Sequence, residues 1–228
     1  YYDGTNYIEY NTRLQEGLYA DLIVKVSSFD KDVIAAHVFD VTPGATLSYQ
    51  WYYRDYHDGD EGTPIDGATS DHITRLPGTH GDAEYYHCTV TVEMKGYESY
   101  SVGSNINYSA DGEGYVYATN SSATFNNGSV TITTSNDADE EYVTFNPSAN
   151  KVYKLTAACD PAFTDAEDML IVRIYDSNGV CYDECEAWGS DTLEYIFTTN
   201  RDDPVSFSAY VERSDGEDTQ VTLNVQEE

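Results

Sequence analysis

The sequence predicts an all-β chain folded as two β-sandwich domains in tandem. Three observations carry this expectation. Apolar and polar residues alternate with period two, and no stretch keeps helical spacing over three turns. Short apolar runs are separated by Gly, Pro, Asn and Asp turns at intervals of about 8–12 residues, the rhythm of a sandwich. The 228 residues suffice for two domains of roughly 100–120 residues, each with its own core.

Residues 1–20 are polar and Tyr-rich and read as a lead-in or linker segment. Residues 22–26 (LIVKV) form a first strand and residues 32–39 a second. Val41-Thr42-Pro43-Gly44 ends pairing, because proline lacks a donor and glycine turns the chain. Residues 47–53 make a central strand carrying Trp51, and residues 58–62 a loop. Residues 64–69 lead to a strand around 72–76; a strand over 85–92 and a last strand or pair over 98–108 complete the half. The small, polar, Gly-rich run 109–114 is the boundary, which gives domains of 21–110 and 111–228. Beyond it, Asn127-Gly128 inside residues 125–130 signals a hairpin, since that pair supplies the positive φ angles of the preferred turn. Strands follow at 142–145, 151–158, 169–175, 180–184, 193–198, 205–211 and 219–225.

Tyr49-Gln50-Trp51-Tyr52, followed later by Asp82 and by Tyr86 two residues before Cys88, is the core signature of an immunoglobulin-type sandwich. With Gly67-Ala68-Thr69 these residues make the first half resemble the bacterial immunoglobulin-like domains of surface proteins. The resemblance implies that Trp51, Tyr86 and Cys88 are structural core and that the Tyr86 hydroxyl bonds back to the preceding loop. The chain departs from the pattern where a first cysteine would precede Trp51, and in Glu84, where a small residue is usual. Residues 153–157 (YKLTA), 170–179 (LIVRIYDSNG) and 219–225 (TQVTLNV) are similar to the bacterial pre-peptidase C-terminal domain. That resemblance implies a jelly-roll-like accessory module of a secreted or cell-surface protein.

A formal charge of −30, from 41 Asp+Glu against 11 Lys+Arg, excludes nucleic acid and an anionic membrane surface as partners, since both need clustered cations. No run approaches the ~20 apolar residues of a membrane-spanning helix, so direct membrane insertion is not expected. The first residue is tyrosine, which reads as a processed or excised piece. The fold type and a polar, Lys-poor surface point to an extracellular protein, secreted or attached to the cell surface.

No His-x3-His, Gly-x-Ser-x-Gly, phosphate-loop or dinucleotide pattern is present, and catalytic residues are not expected. Cys88 reads as a buried free thiol, and the second half offers a disulfide of Cys159 with Cys181 or Cys185 as one option. Calcium is the candidate cofactor: Asp58 and Asp60, Asp137 and Asp139, and Asp165 and Asp168 offer hard oxygens in acidic loops, which otherwise are simply solvated. Two aromatic groups are candidate glycan platforms. One is Trp188 with Glu186 and Asp191, where the competing reading is an indole capping the second core. The other is Tyr52, Tyr53 and Tyr56. A covalent lysine–asparagine crosslink between Lys25 and Asn105 or Asn107 is the weakest candidate. Together these readings describe a non-catalytic module pair acting in adhesion, spacing or presentation, or a carbohydrate-binding accessory module. Its partner is a glycan or a host or cell-surface protein, and copies can also associate through sheet edges.

Overall fold

The computed structural model describes residues 17–54, 62–76, 83–109, 118–134, 140–190, 192–199, 203–216 and 218–228. Among them the regular structure is entirely β, and no helix is long and apolar enough to cross a membrane. The chain divides into two compact units, one of Tyr1–Ser27 and Lys31–Tyr115, the other of Ser28–Asp30 and Val116–Glu228.

The first unit contains β1 (Asp21–Val26), β2 (Val33–Phe39), β3 (Thr46–Arg54), β4 (Thr63–Pro64), β5 (His72–Thr74), β6 (Ala83–Glu93) and β7 (Tyr100–Ser109). Strands β1-β2-β5 form one antiparallel sheet and β4-β3-β6-β7 the other. The two sheets pack as a sandwich over one shared core. Alternation explains the core. Trp51 lies directly opposite Cys88 and Tyr53 opposite Tyr86, and these side chains meet Val24, Val26, Ile34 and Ala36 of the facing sheet. The Trp51 indole N–H donates to the Ser70 carbonyl at 2.9 Å, so the ring is buried without leaving its donor unmet. The Tyr86 hydroxyl accepts the Leu76 N–H at 3.1 Å, tying β6 to the chain before it.

The second unit contains β8 (Ala118–Asn120), β9 (Ser129–Thr134), β10 (Glu140–Phe145), β11 (Lys151–Asp160), β12 (Met169–Tyr175), β13 (Cys181–Trp188), β14 (Thr192–Thr199), β15 (Val205–Glu212) and β16 (Thr219–Glu227). Sheets run β13-β12-β15-β10-β8 and β14-β11-β16-β9. Lettering β9 to β16 as B to I gives C-H-E-F facing B-I-D-G, the jelly-roll order, with β8 added parallel to β10. Both faces contribute rings to the core: Phe207 packs on Phe125 and Phe197, and Phe145 on Phe125 and Tyr153.

Three expectations need correction. The hairpin at 125–130 is reduced to one bridge, Asn126 to Ser129, because Phe125 turns into the core and β8 joins the other sheet. The turn itself is present, with Asn127 at φ 51° and Gly128 at φ 80°. A Cβ on Gly128 would lie 2.6 Å from the Val225 carbonyl oxygen, a backbone atom with little room to yield. Gly128→Ala is therefore expected to destabilise the second unit by about 2–3 kcal/mol, read as a lowered denaturation midpoint.

The second correction is that none of the four cysteines is in a disulfide. Cys159 sits on β11 in one sheet, whereas Cys181 and Cys185 sit on β13 in the other. The third concerns Lys25. It is exposed between buried Val24 and Val26, so it faces away from the core a crosslink would need.

Candidate functional site

The five-stranded sheet of the second unit presents an outer face whose residues follow from register. Trp188 on β13 lies opposite Met169 on β12, which lies opposite Glu212 on β15. The next row is Glu186, Ile171 and Tyr210, and the next Glu184, Arg173 and Ser208. Met169 and Ile171 are buried, while Trp188 is 62% exposed. An indole so exposed beside a buried apolar pair, rimmed by carboxylates, is a flat stacking surface with polar neighbours.

The ring stands on a fixed base. Its N–H donates to Glu186 Oε2 at 3.1 Å, and the following N–H, of Gly189, donates to the Asp168 carbonyl at 2.8 Å. Gly189 has φ 58°, and a Cβ there would come within 3.1 Å of Ala166 backbone, so the two loops touch. Asp168 organises them. Its Oδ1 accepts both the Ser214 N–H (2.8 Å) and the Ser214 hydroxyl (2.9 Å), and its Oδ2 accepts the Asp165 N–H. The Ser214 backbone donor, ahead of its hydroxyl and the Asp165 and Thr164 N–H groups, holds the Asp168 carboxyl below its ordinary value of 3.8. Arg213 completes the base with a two-pronged bond to Asp215, a bond to the Pro161 carbonyl and a place over the Phe163 ring.

The middle of the same face holds a buried charge network. Arg173 pairs with Glu140 on β10 and Glu184 on β13. Glu140 also accepts the Ser208 hydroxyl at 2.6 Å, and the Ser208 and Tyr175 hydroxyls lie 2.9 Å apart. Every member has a partner, so the network ties β10, β12, β13 and β15 together across the sheet.

The remaining sequence expectations fall differently. Trp188 ends a strand instead of lying in a loop, and it does not cap the second core. Glu186 is exposed beside it. Of the calcium candidates, Asp168 is buried with both oxygens accepting loop donors, and Asp165 Oδ1 accepts the Glu167 N–H. Among the described residues no three His, Cys, Asp or Glu side chains are grouped to hold a metal ion. Asp58, Asp60, Asp137, Asp139, Asp191 and Tyr56 lie outside the described residues. Tyr52 and Tyr53 do not form one group. Two-residue alternation sends Tyr53 with Trp51 onto the core, where it meets Tyr86 edge-on, and leaves Tyr52 half-buried beside His87 on the opposite face. Trp51, Tyr86 and Cys88 are fully buried. Sequence reasoning missed Tyr210 and Glu212, which only the β12–β15 register brings onto the Trp188 face.

Burial sets the chemistry of the thiols and phenols. It pushes Cys88 up to about 12 and Cys185 to about 11 from 9.0, and Tyr175 to about 12 from 10.0. Tyr182 and Tyr195 are also raised by burial, Tyr195 further by its bond to Asp183. At neutral pH these thiols are protonated and poorly nucleophilic. A raised folded value means that the fold favours the protonated form. Its contribution to stability is complete below pH 9 and is lost as pH climbs through about 11–12. The last phase of tyrosinate absorbance, from the buried phenols, and far-UV circular dichroism are expected to change together in that window. Ionisation of Tyr175 near pH 10 with the fold intact would contradict the burial argument.

Fold and site together define an all-β, two-sandwich protein with an exposed aromatic platform on its second unit. No family model matches the chain, and no curated protein matches it. Solved structures offer three likenesses. The surface-associated copper-binding protein CorA of Methylomicrobium album BG8 is 9% identical over 49% of this chain and 100% of that one, with a TM-score of 0.38. PliG of Aeromonas hydrophila, a periplasmic inhibitor of g-type lysozyme, is 9% identical over 48% and 99%, at 0.31. The pre-peptidase C-terminal domain of a Bacillus anthracis collagenase is 15% identical over 48% and 94%, at 0.31. Likenesses at these scores assign no family, ligand or activity to the chain.

Proposed function

We propose that the chain is a non-catalytic module pair of a bacterial secreted or cell-surface protein, acting in adhesion or structural presentation. Its two halves are related to bacterial immunoglobulin-like and pre-peptidase C-terminal domains. Support comes from the motif residues around Trp51 and Cys88, from the sandwich and jelly-roll strand orders, and from the polar groups of the second unit, which are engaged in holding loops and strands. Rigid sandwiches hold a contact surface in place, and the acidic exterior keeps the modules soluble.

A second reading, a carbohydrate-binding accessory module, is favoured by one observation: Trp188, 62% exposed, stands on a strand end fixed by Asp168 and Gly189. A pyranose face stacks on the indole while Glu186 and Glu212 accept from sugar hydroxyls. Glycan-array binding by the intact chain, repeated with Trp188→Ala, tests it. The module reading expects a loss of about tenfold or more, the equivalent of about 1.4 kcal/mol of stacking and burial. Silence of the parent chain across glycans leaves presentation as the function.

A further inference from the structure

The edges of the four sheets are guarded unequally. An edge strand exposes a row of unpaired N–H and C=O groups, which proteins blunt with charge, proline, bulges or shortness. β4 has two residues, one of them Pro64, and β5 and β8 have three each. β1 carries Asp21 and Lys25, β13 carries Asp183, Glu184 and Glu186, and β14 carries Glu194. β9 is uncharged but only six residues long. β7 is the longest edge at ten residues, with no charged residue, no proline and an unbroken register against β6; β1 of the facing sheet runs near it, but no strand is hydrogen-bonded to its outer side. Ser101 and Gly103 on it are exposed. In a chain of charge −30, this is the edge at which two copies approach with least repulsion.

β7 is also self-complementary. Tyr100-Ser101-Val102-Gly103-Ser104-Asn105-Ile106-Asn107-Tyr108 is a near-palindrome of residue classes about Ser104. Two antiparallel copies related by a two-fold axis at Ser104 set Val102 against Ile106 of the second copy. Tyr100 then falls against Tyr108, Gly103 against Asn105, and Ser101 against Asn107. Like classes meet at every position except Gly103 with Asn105, and Val102 and Ile106 both stand on the core-packed face. A one-residue slip would lose this match and set core-facing against outward positions.

We propose that two copies of the chain pair antiparallel through β7 in this register, joining their four-stranded sheets into one of eight strands. The contact is isologous, so it closes as a dimer. It lies in the first unit and stands whether or not Trp188 binds a glycan. It also specifies which edge serves the self-association expected from the sequence.

Sedimentation equilibrium of the full chain over a concentration series, at low and high salt, tests it. A monomer–dimer equilibrium is expected, with the dimer fraction rising as salt screens the mutual repulsion. Ser101→Asp combined with Asn107→Asp places carboxylates opposite each other twice and should weaken the dimer by about tenfold or more, with the circular dichroism unchanged. Ser101→Cys combined with Asn107→Cys should crosslink two chains on oxidation, whereas Ser101→Cys alone should not. A chain that stays monomeric at every concentration and salt overturns the proposal, as does a dimer that survives the aspartate pair. Should the aspartate pair disturb the fold, the cysteine pair decides: no interchain crosslink overturns the β7 register.

Discussion

Trp51→Ala is expected to cost the first unit about 3–5 kcal/mol, the largest single effect in that half of the chain. The indole is fully buried between the sheets, opposite Cys88 and against Ile34 and Ala36. Truncation removes its apolar area and leaves a cavity that strands fixed by their ladders close only partly. It also strips the Ser70 carbonyl of its donor. Small domains are stable by only about 5–15 kcal/mol, so the first unit should unfold at much lower urea while the second keeps its midpoint. Trp51→Phe, which preserves most of the volume, should cost less. A Trp51→Ala chain within about 1 kcal/mol of the parent would mean the ring is not where the core is built.

The second large effect is Arg173→Ala. Its guanidinium is 15% exposed and is shared between Glu140, 6% exposed, and Glu184. Removing it leaves the Glu140 carboxylate buried without its counter-charge, which is expected to cost about 3–5 kcal/mol. The same reasoning predicts the form of a double-mutant cycle. Arg173→Met with Glu140→Gln should be less destabilised than the sum of the single changes, because neither partner is then left charged alone. Urea unfolding of the four chains measures this. Strictly additive costs would show that the pair is not coupled.

The period of the strands was legible because alternation is set by the backbone alone. Sequence reading accordingly finds the positions of β3, β6, β11, β12 and β15, and the placement of Trp51, Tyr86 and Cys88 in one interior. The same rule applied one residue further would have separated Tyr52 from Tyr53. What stayed illegible depended on register between distant strands. Glu140 sits in Asp137-Ala138-Asp139-Glu140-Glu141, which reads as a solvated acidic run. Only the β10–β15–β12 pairing brings it to Arg173. Asp168 has the look of a cation ligand until its oxygens are seen to hold two loops. The apolar pattern of β13 ends at residue 184, short of Trp188, because Asp183, Glu184 and Glu186 interrupt it. Glu184 and Glu186 are compatible with a strand because β13 is an edge with one wet face, and Asp183 on the other face accepts the Tyr195 hydroxyl.

The two tryptophans offer the most direct measurement, since the structure puts one in the first core and the other on the surface of the second unit. Fluorescence quenching by acrylamide is recorded on Trp188→Phe, which leaves Trp51, and on Trp51→Phe, which leaves Trp188. The emission of Trp51 should be blue-shifted and nearly insensitive to quencher, and that of Trp188 red-shifted and strongly quenched. Equal quenching of the two, or a shielded Trp188, would contradict both the interior of the first sandwich and the exposed platform of the second.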